Sequence, residues 1–475
     1  MSHLLITAAC VAVSAWQLWR VPRVWAFLVL FIALMPKVPL AAVLGNTTPI
    51  RIDDVVLAIV LIWWARTLFR VRLKADATSP ADGVGLKPDA TDSPPSPATF
   101  FLLLYWSIAI ACTLISIAAL TTEPLTGVLH AGRLVQYGLL YYFFYSAIAP
   151  DEFGRLVEVA RTAVLLLCAI WIVQHWTHAP VAGPPTPWAT LYPTFSASYD
   201  FGGYMMLATI LLYALWSAGG SRSLLTTLAL VTGAIVTANS ESRASLLGLA
   251  LIVAIDLVWH ARWRSLLAMG VAAVAAPYVI ASNKMLTLVH GVTSFATTLN
   301  GNVIRQAIAT DPSLALRAKN WRLAFEHWLA RPLLGDGLGG YLAYIRQYDL
   351  PASPDGWYVR VLADTGVAGF VAFAVLMTAL LWMLVRAARP TPHSAGPLPR
   401  ALVYGAALAV VAMSASAVLV DVFVSYKIMG MFWMVIAAGT RVSADAWQAA
   451  CHPPARPAPV PPPALPALPT SPALS

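Results

Sequence analysis

Apolar runs recur along nearly the whole chain, near 3–19, 24–44, 52–69, 99–120, 127–148, 155–175, 201–217, 223–238, 244–259, 265–281, 366–386, 401–420 and 427–440. Crossing about 30 Å of hydrocarbon takes roughly 20 helical residues, and most of these runs approach that length. The pattern predicts an all-α fold, a polytopic transmembrane helical bundle of about 12–13 spans with a large, partly helical outer loop. Pro36, Lys37 and Pro39 make the second run irregular. The first run has no A-x-A-like cleavage site and reads as a retained helix.

The interruptions divide the chain. Residues 1–70 form N-terminal spans, 99–281 central spans and 365–441 C-terminal spans, with a long polar-interrupted loop at 282–364. Segments 71–98 and 442–475 are rich in Pro and Ala and read as linkers without a core of their own. A loop of about eighty residues far exceeds the usual helix connection, and loops of that length are functional or disordered.

Composition supports the same class. Of the 475 residues, 59% are hydrophobic and 11% charged, whereas a soluble domain carries roughly a quarter charged residues. The net charge of +9 does not point to nucleic acid, because Arg and Lys cluster between spans rather than along one face. Clusters at Arg66–Lys74, His260–Arg264, Arg386–Arg400 and Arg441 all fall in the cytoplasm on one alternating thread. Segments 45–51, 176–200, 239–243 and 282–364 then face outward. Cys10, Cys112, Cys168 and Cys451 have no paired spacing and read as small hydrophobes.

Within the loop, Leu314, Ala318, Trp321, Phe325 and Trp328 recur at helical spacing, with Arg317 and Arg322 beside them. The stripe is expected to seat the loop on the bundle, and aromatic and basic residues together suit the membrane interface. Arg331–Tyr341 then packs Gly335, Gly337, Gly339 and Gly340 into a short run. No Lys-Ser/Thr follows, so a nucleotide-binding P-loop is not indicated. Asp355 sits among turn-forming residues just before the next span.

Arg243 opens the ninth span, and Arg133 lies about two turns inside the fifth. A charge within a span costs at least ~2.5 kcal/mol on insertion scales and marks a candidate site. Guanidinium forks suit phosphate oxygens. The alternatives are snorkelling for Arg243 and pairing with Glu123 or Glu241, and Arg133 lies too deep for snorkelling to account for it readily. Asp256 is expected to pair locally with His260 and Arg262, and Asp53 and Asp54 to cap a helix N-terminus. His175, His178, His290 and His327 show no metal-ligand spacing.

In order along the chain, these residues resemble the bacterial O-antigen ligases and the related O-antigen and exopolysaccharide polymerases. The resemblance rests on Ser242-Arg243 opening a span, then Arg317, Trp321, Pro332, the run Gly335, Gly337, Gly339, then Asp355 and Asp364-Thr365-Gly366. The stretch Phe195–Tyr204, with Asp200 and Gly202-Gly203, is also similar. In ligases the place of Asp355 is commonly His, so the branch stays open.

By this resemblance the chain is an inner-membrane glycan transferase. It would move a glycan from undecaprenyl pyrophosphate to a hydroxyl of the lipid A core or of another repeat unit, at the periplasmic face, with neither metal nor other cofactor. Catalytic roles fall to Asp355 as base and to Arg243. Pyrophosphate and glycan binding fall to Arg133, Arg317, Arg322 and Asp200. The competing class is a multi-spanning transporter or flippase. Transporters often show repeated halves with charges near the midplane, and neither pattern is visible here.

Overall fold

The computed structural model describes residues 23–35, 39–41, 50–77, 98–177, 197–240, 242–259, 312–348, 356–388 and 396–451, together with Ser96 and Phe195. The expected spans at 3–19 and 265–281, the first part of the loop, Glu241 and Asp355 lie outside the described residues.

The architecture is an all-α bundle. Its helices are α1 (Val24–Leu34), α2 (Ile52–Ala77), α3 (Thr99–Ala118), α4 (Pro124–Ala147), α5 (Phe153–Thr177), α6 (Ser198–Ser217), α7 (Leu224–Asn239), α8 (Arg243–Trp259), α9 (Pro312–Ala330), α10 (Gly340–Arg346), α11 (Trp357–Ala388), α12 (Pro397–Ser416) and α13 (Tyr426–Cys451). Among the described residues, four stretches are long and apolar enough by themselves to cross a membrane: Thr99–Ala118, Pro150–Trp176, Trp357–Ala388 and Pro397–Ser416.

Three boundaries depart from the sequence reading. The irregular second run ends its helix at Leu34, and Pro39–Ala41 pairs antiparallel with Ile50–Arg51. Pro36, which lacks an N–H, and Pro39 account for that break. Helix α11 begins at Trp357, inside the segment assigned to the loop, and continues through Gly366. Helices α2 and α13 run on into the segments read as linker and tail.

Helices α6, α12 and α13 form the centre, and α6 is buried along most of its length. Small residues let these backbones approach: Gly203 lies against Ile428, Gly405 against Ala214, and Gly439 against Ala406. Outward faces carry exposed Leu103, Leu114, Val231, Ile235, Val371 and Trp382, as lipid-facing positions should.

Consecutive helices alternate between two ends. At one end Trp357 N–H donates to Ala417 at 2.8 Å, Lys427 Nζ to Ala33 O at 3.2 Å and Ser416 Oγ to Ala244 O at 3.0 Å. At the other, Arg23 meets Glu152 at 2.7 Å and Gly220 lies against Pro397 and Leu398. Asp256, at this second end, is buried and accepts from the hydroxyls of Tyr213 and Tyr404. Those hydroxyls reach it because α6 and α12 both pack on α8, and the expected local partners His260 and Arg262 lie outside the described residues.

Candidate functional site

The glycine run docks at the loop end, in a break in α11. Gly366 takes φ 62° and ψ −164° in the middle of an otherwise continuous helix. Helical geometry would have the N–H groups of Val367 and Ala368 donate to residues 363 and 364. They donate instead to Pro332 O at 2.9 Å and Leu333 O at 3.1 Å. The released Ala363 carbonyl accepts from Asp336 N–H at 3.3 Å, and the Thr365 carbonyl from Cys112 Sγ at 3.6 Å. Loop backbone thus satisfies groups that the break would otherwise leave orphaned.

Only glycine fits this junction. Gly335, Gly337 and Gly339 have φ of 62°, 80° and 82°. A Cβ on Gly335 would fall within 3.0 Å of the Asp364 backbone, and one on Gly366 within 3.0 Å of the Leu333 backbone. Gly337 faces Thr113 and Ser116 of α3, and Gly339 faces Thr126 and His130 of α4. Leu338 N–H donates to Thr113 Oγ1 at 3.1 Å, and the Thr122 hydroxyl donates to Asp336 O.

Beside the break lies a buried charge network of which only Asp364 is named from sequence. Arg360 reaches Asp364 Oδ2 at 3.4 Å and Asp421 Oδ2 at 3.1 Å, with its guanidinium 5.9 Å from the Trp357 ring centre. Asp364 Oδ1 accepts from Tyr341 N–H at 3.1 Å, and Tyr341 Oη donates to Asn320 O at 2.7 Å. A second cluster holds the loop itself, where Asp336 contacts both His327 and Arg331. His327 stacks on Tyr344 at 4.2 Å. Burial works to raise the Asp336 carboxyl, but His327 and Arg331 outweigh it and hold the group below its ordinary value.

The residues expected from sequence fall on several sides of this end. Asp200 is buried in the first turn of α6. Two residues on, Gly202 faces Ser240, Ser242 and Ser245, so Asp200 and the half-buried Arg243 come from touching segments. Arg133 lies on the α2–α4 side, where it pairs with Asp54 at 2.9 Å while Gln136 Nε2 donates to Asp54 O at 2.9 Å. Its partner is therefore Asp54, expected only to cap α2, rather than Glu123, which accepts from Thr126 Oγ1 at 2.6 Å. The short 3₁₀ turn Val422–Val424 lies between these sides, with Tyr137 of α4 donating to Val424 O at 3.3 Å.

Helix α9 does not seat by its expected stripe. From residue 315 on, Asn320, Leu323 and Ala324 are its buried residues, while Phe325 is exposed and Trp328 half-buried. Trp321 does contribute, since its indole lies against Gly356 at the start of α11. Arg317 is half-buried, and Arg322 is exposed at 3.6 Å from Glu326. Gly356, next to Asp355, also lies against Val418 O.

Some signals were present but unread. Arg360 and Asp364 stand four apart in an apolar run, the spacing of a helical ion pair. Lys427, fully buried in the first turn of α13 with Nζ 3.9 Å from the Phe195 ring centre, is a second buried cation at this end.

Residues 228–374 match the model of the O-antigen ligase family. The matched stretch contains Ser242-Arg243, α9, the glycine run, and Asp364 with the break at Gly366. The family resemblance of the motifs is therefore found again by a separate comparison. No curated protein matches the chain.

Proposed function

We propose, with the O-antigen ligase segment as premise, that this chain transfers a glycan from undecaprenyl pyrophosphate to an acceptor hydroxyl at the periplasmic face of the bacterial inner membrane. The observation that carries the reading is the graft of the glycine run into α11. It fixes the loop over the end of the bundle that also holds Arg133, Arg243 and the Arg360 network. Orientation is supported by the opposite end, which gathers Arg23, Arg155, Arg161, Arg222, Arg400 and Arg441, as the positive-inside rule asks of a cytoplasmic face.

In the proposed reaction the acceptor oxygen attacks the anomeric carbon of the donor. Its proton passes to Asp355, the glycosyl C–O bond to phosphate breaks, and undecaprenyl pyrophosphate departs with the electron pair. Arg243 and Arg133 stabilise the charge that develops on the leaving pyrophosphate. Asp200 orients the donor sugar beside Arg243, and Arg317 and Arg322 meet glycan or headgroup from α9. Arg360 acts as a positioning residue, holding the first turn of α11, and so the approach to Asp355, through Asp364 and Asp421. The acceptor is a hydroxyl of the lipid A core or of another repeat unit.

Purified protein in lipid discs, given carrier-linked donor and acceptor, tests these roles. Arg243→Ala and Arg133→Ala should each abolish transfer at unchanged insertion, with Lys a poor substitute because a point charge lacks the bidentate fork. Full output from both alanine variants would remove the arginines from the reaction. Asp355→Asn keeps the turn but loses the base, and should lower the rate by roughly 10²–10⁴-fold. A fully active Asn variant would leave Asp355 a turn residue.

A further inference from the structure

Helix α9 and the turn after it present an apolar face that no described part of the chain covers. Phe325, Leu329 and Leu333 follow one another at intervals of four, with Leu329 66% and Leu333 70% exposed, and Leu334 is exposed beside them. Trp328 packs edge-on against Phe325 at 6.3 Å and ties its indole N–H to Pro332 O at 2.9 Å. The opposite face of the helix is the one buried against the bundle, through Asn320, Leu323 and Ala324.

This face is continuous with a lipid-facing surface. The carbonyls of Pro332 and Leu333 accept from Val367 and Ala368, so Leu333 and Leu334 sit directly at the head of the exposed stripe Val367, Val371, Val375 and Trp382 on α11. That stripe belongs to a helix long and apolar enough to cross the membrane. Cations border the patch: Lys319, Arg322 and Arg331 are exposed, against the exposed carboxylate of Glu326. An amphipathic helix with aromatic and leucine side chains on one face and basic residues at its edge has the chemistry of an interfacial helix. A contiguous apolar patch of this kind has a partner rather than water.

We infer that Phe325–Leu334 is a shallow membrane wedge, sunk into the leaflet at the loop end with anionic phospholipid headgroups against Lys319, Arg322 and Arg331. The occupant of the apolar face is the upper acyl region of that leaflet. The wedge sets the height of the loop at the headgroup plane and ties it to the lipid from which a lipid-linked substrate would arrive.

Site-directed nitroxide labelling of the full chain in discs of phosphatidylethanolamine and phosphatidylglycerol tests this. In a background with its four cysteines replaced, single cysteines are placed at Leu329 and Leu333, at Val375 as the lipid-facing reference, and at Ala343 and Gln347 as exposed references on or after α10. Labels at Leu329 and Leu333 should resemble Val375, with collision favouring oxygen over a water-soluble nickel chelate. Labels at Ala343 and Gln347 should favour the chelate. Chelate access at Leu329 and Leu333 equal to that at Gln347 would overturn the wedge. Dipolar broadening between Leu329 labels on two chains would also overturn it, by assigning the face to a second copy. Replacing phosphatidylglycerol with phosphatidylcholine should raise the Leu329 label toward the surface, and an unchanged depth would remove the anionic headgroups from the account.

Discussion

Arg23 and Arg360 both reach carboxylates, but Arg23 remains 56% exposed at the end far from the loop, while Arg360 is 6% exposed between Asp364 and Asp421. The far end settles its charges one by one. Glu152 is served by Arg23, Arg155 and the Trp25 indole, and Asp256 by tyrosine hydroxyls. At the loop end, two carboxylates from distant parts of the chain share one buried guanidinium, that of Arg360. Desolvating such groups can cost as much as their attraction returns, so burial of this kind is poor economy for stability alone. The difference separates an end where buried carboxylates are met by exposed arginines and by hydroxyls from an end where the cation is buried too.

Removing the two arginines should break the comparison most sharply. Arg360→Ala leaves two buried carboxylates facing each other and should cost about 3–5 kcal/mol, the range for breaking a buried pair. Arg23→Ala should cost less, because the buried Glu152 keeps Arg155 and the Trp25 indole as partners. Thermal unfolding in detergent measures both, and equal shifts would erase the distinction.

Next come two glycines with left-handed backbone. Gly366→Ala drives a Cβ into the Leu333 backbone, whereas Gly219, at the far end with φ 76°, has nothing within 4 Å of where its Cβ would stand. Gly219→Ala should therefore show only conformational strain, of order 1–2 kcal/mol. Gly366→Ala should add displacement of the loop, visible as rapid proteolysis within 312–348. Tyr404→Phe should cost about 1–3 kcal/mol by taking one donor from buried Asp256, with no effect on loop proteolysis.

A milder effect concerns acid. Asp336 is held below its ordinary carboxylate value by His327 and Arg331, so its contribution is present above the unfolded value and is lost as pH falls through the lowered folded value. Below about pH 4 the amides of residues 331–340 should exchange faster, while those of the far end do not respond through this group. Smallest of all, Arg322→Ala should change stability by no more than about 0.5 kcal/mol, since its contact with Glu326 is an exposed helical pair. Any larger loss of transfer in that variant would be a substrate effect.

The helices of the bundle were legible because apolar runs report them directly; Arg243 and the glycine run stood out by local pattern, and Asp200 only by the family resemblance. Register across space was not. Asp54 sits where a helix cap is expected, and nothing nearby in sequence announces Arg133, 79 residues on. Asp421 is likewise 61 residues from Arg360. At Gly366 the pattern changes from a stretch holding Arg360, Asp364 and Thr365 to an unbroken apolar run, which reads as the start of a span. Helix on both sides of a break was not legible because charged residues ahead of a span look like loop. The stripe on α9 misled for a different reason. Helical spacing of aromatic residues marks an apolar face, and in a membrane protein that face has a second solvent to choose, the lipid.

The graft between residues 332–336 and 363–368 is made by main-chain groups, with glycine demanded at Gly335 and Gly366. Side chains elsewhere in the loop do not enter into that bond pattern. A loop fastened in this way can exchange its variable surface, and with it the partners it meets, while the fastening stays the same. It works as a socket: one fixed coupling into which evolution can plug loops of different chemical taste.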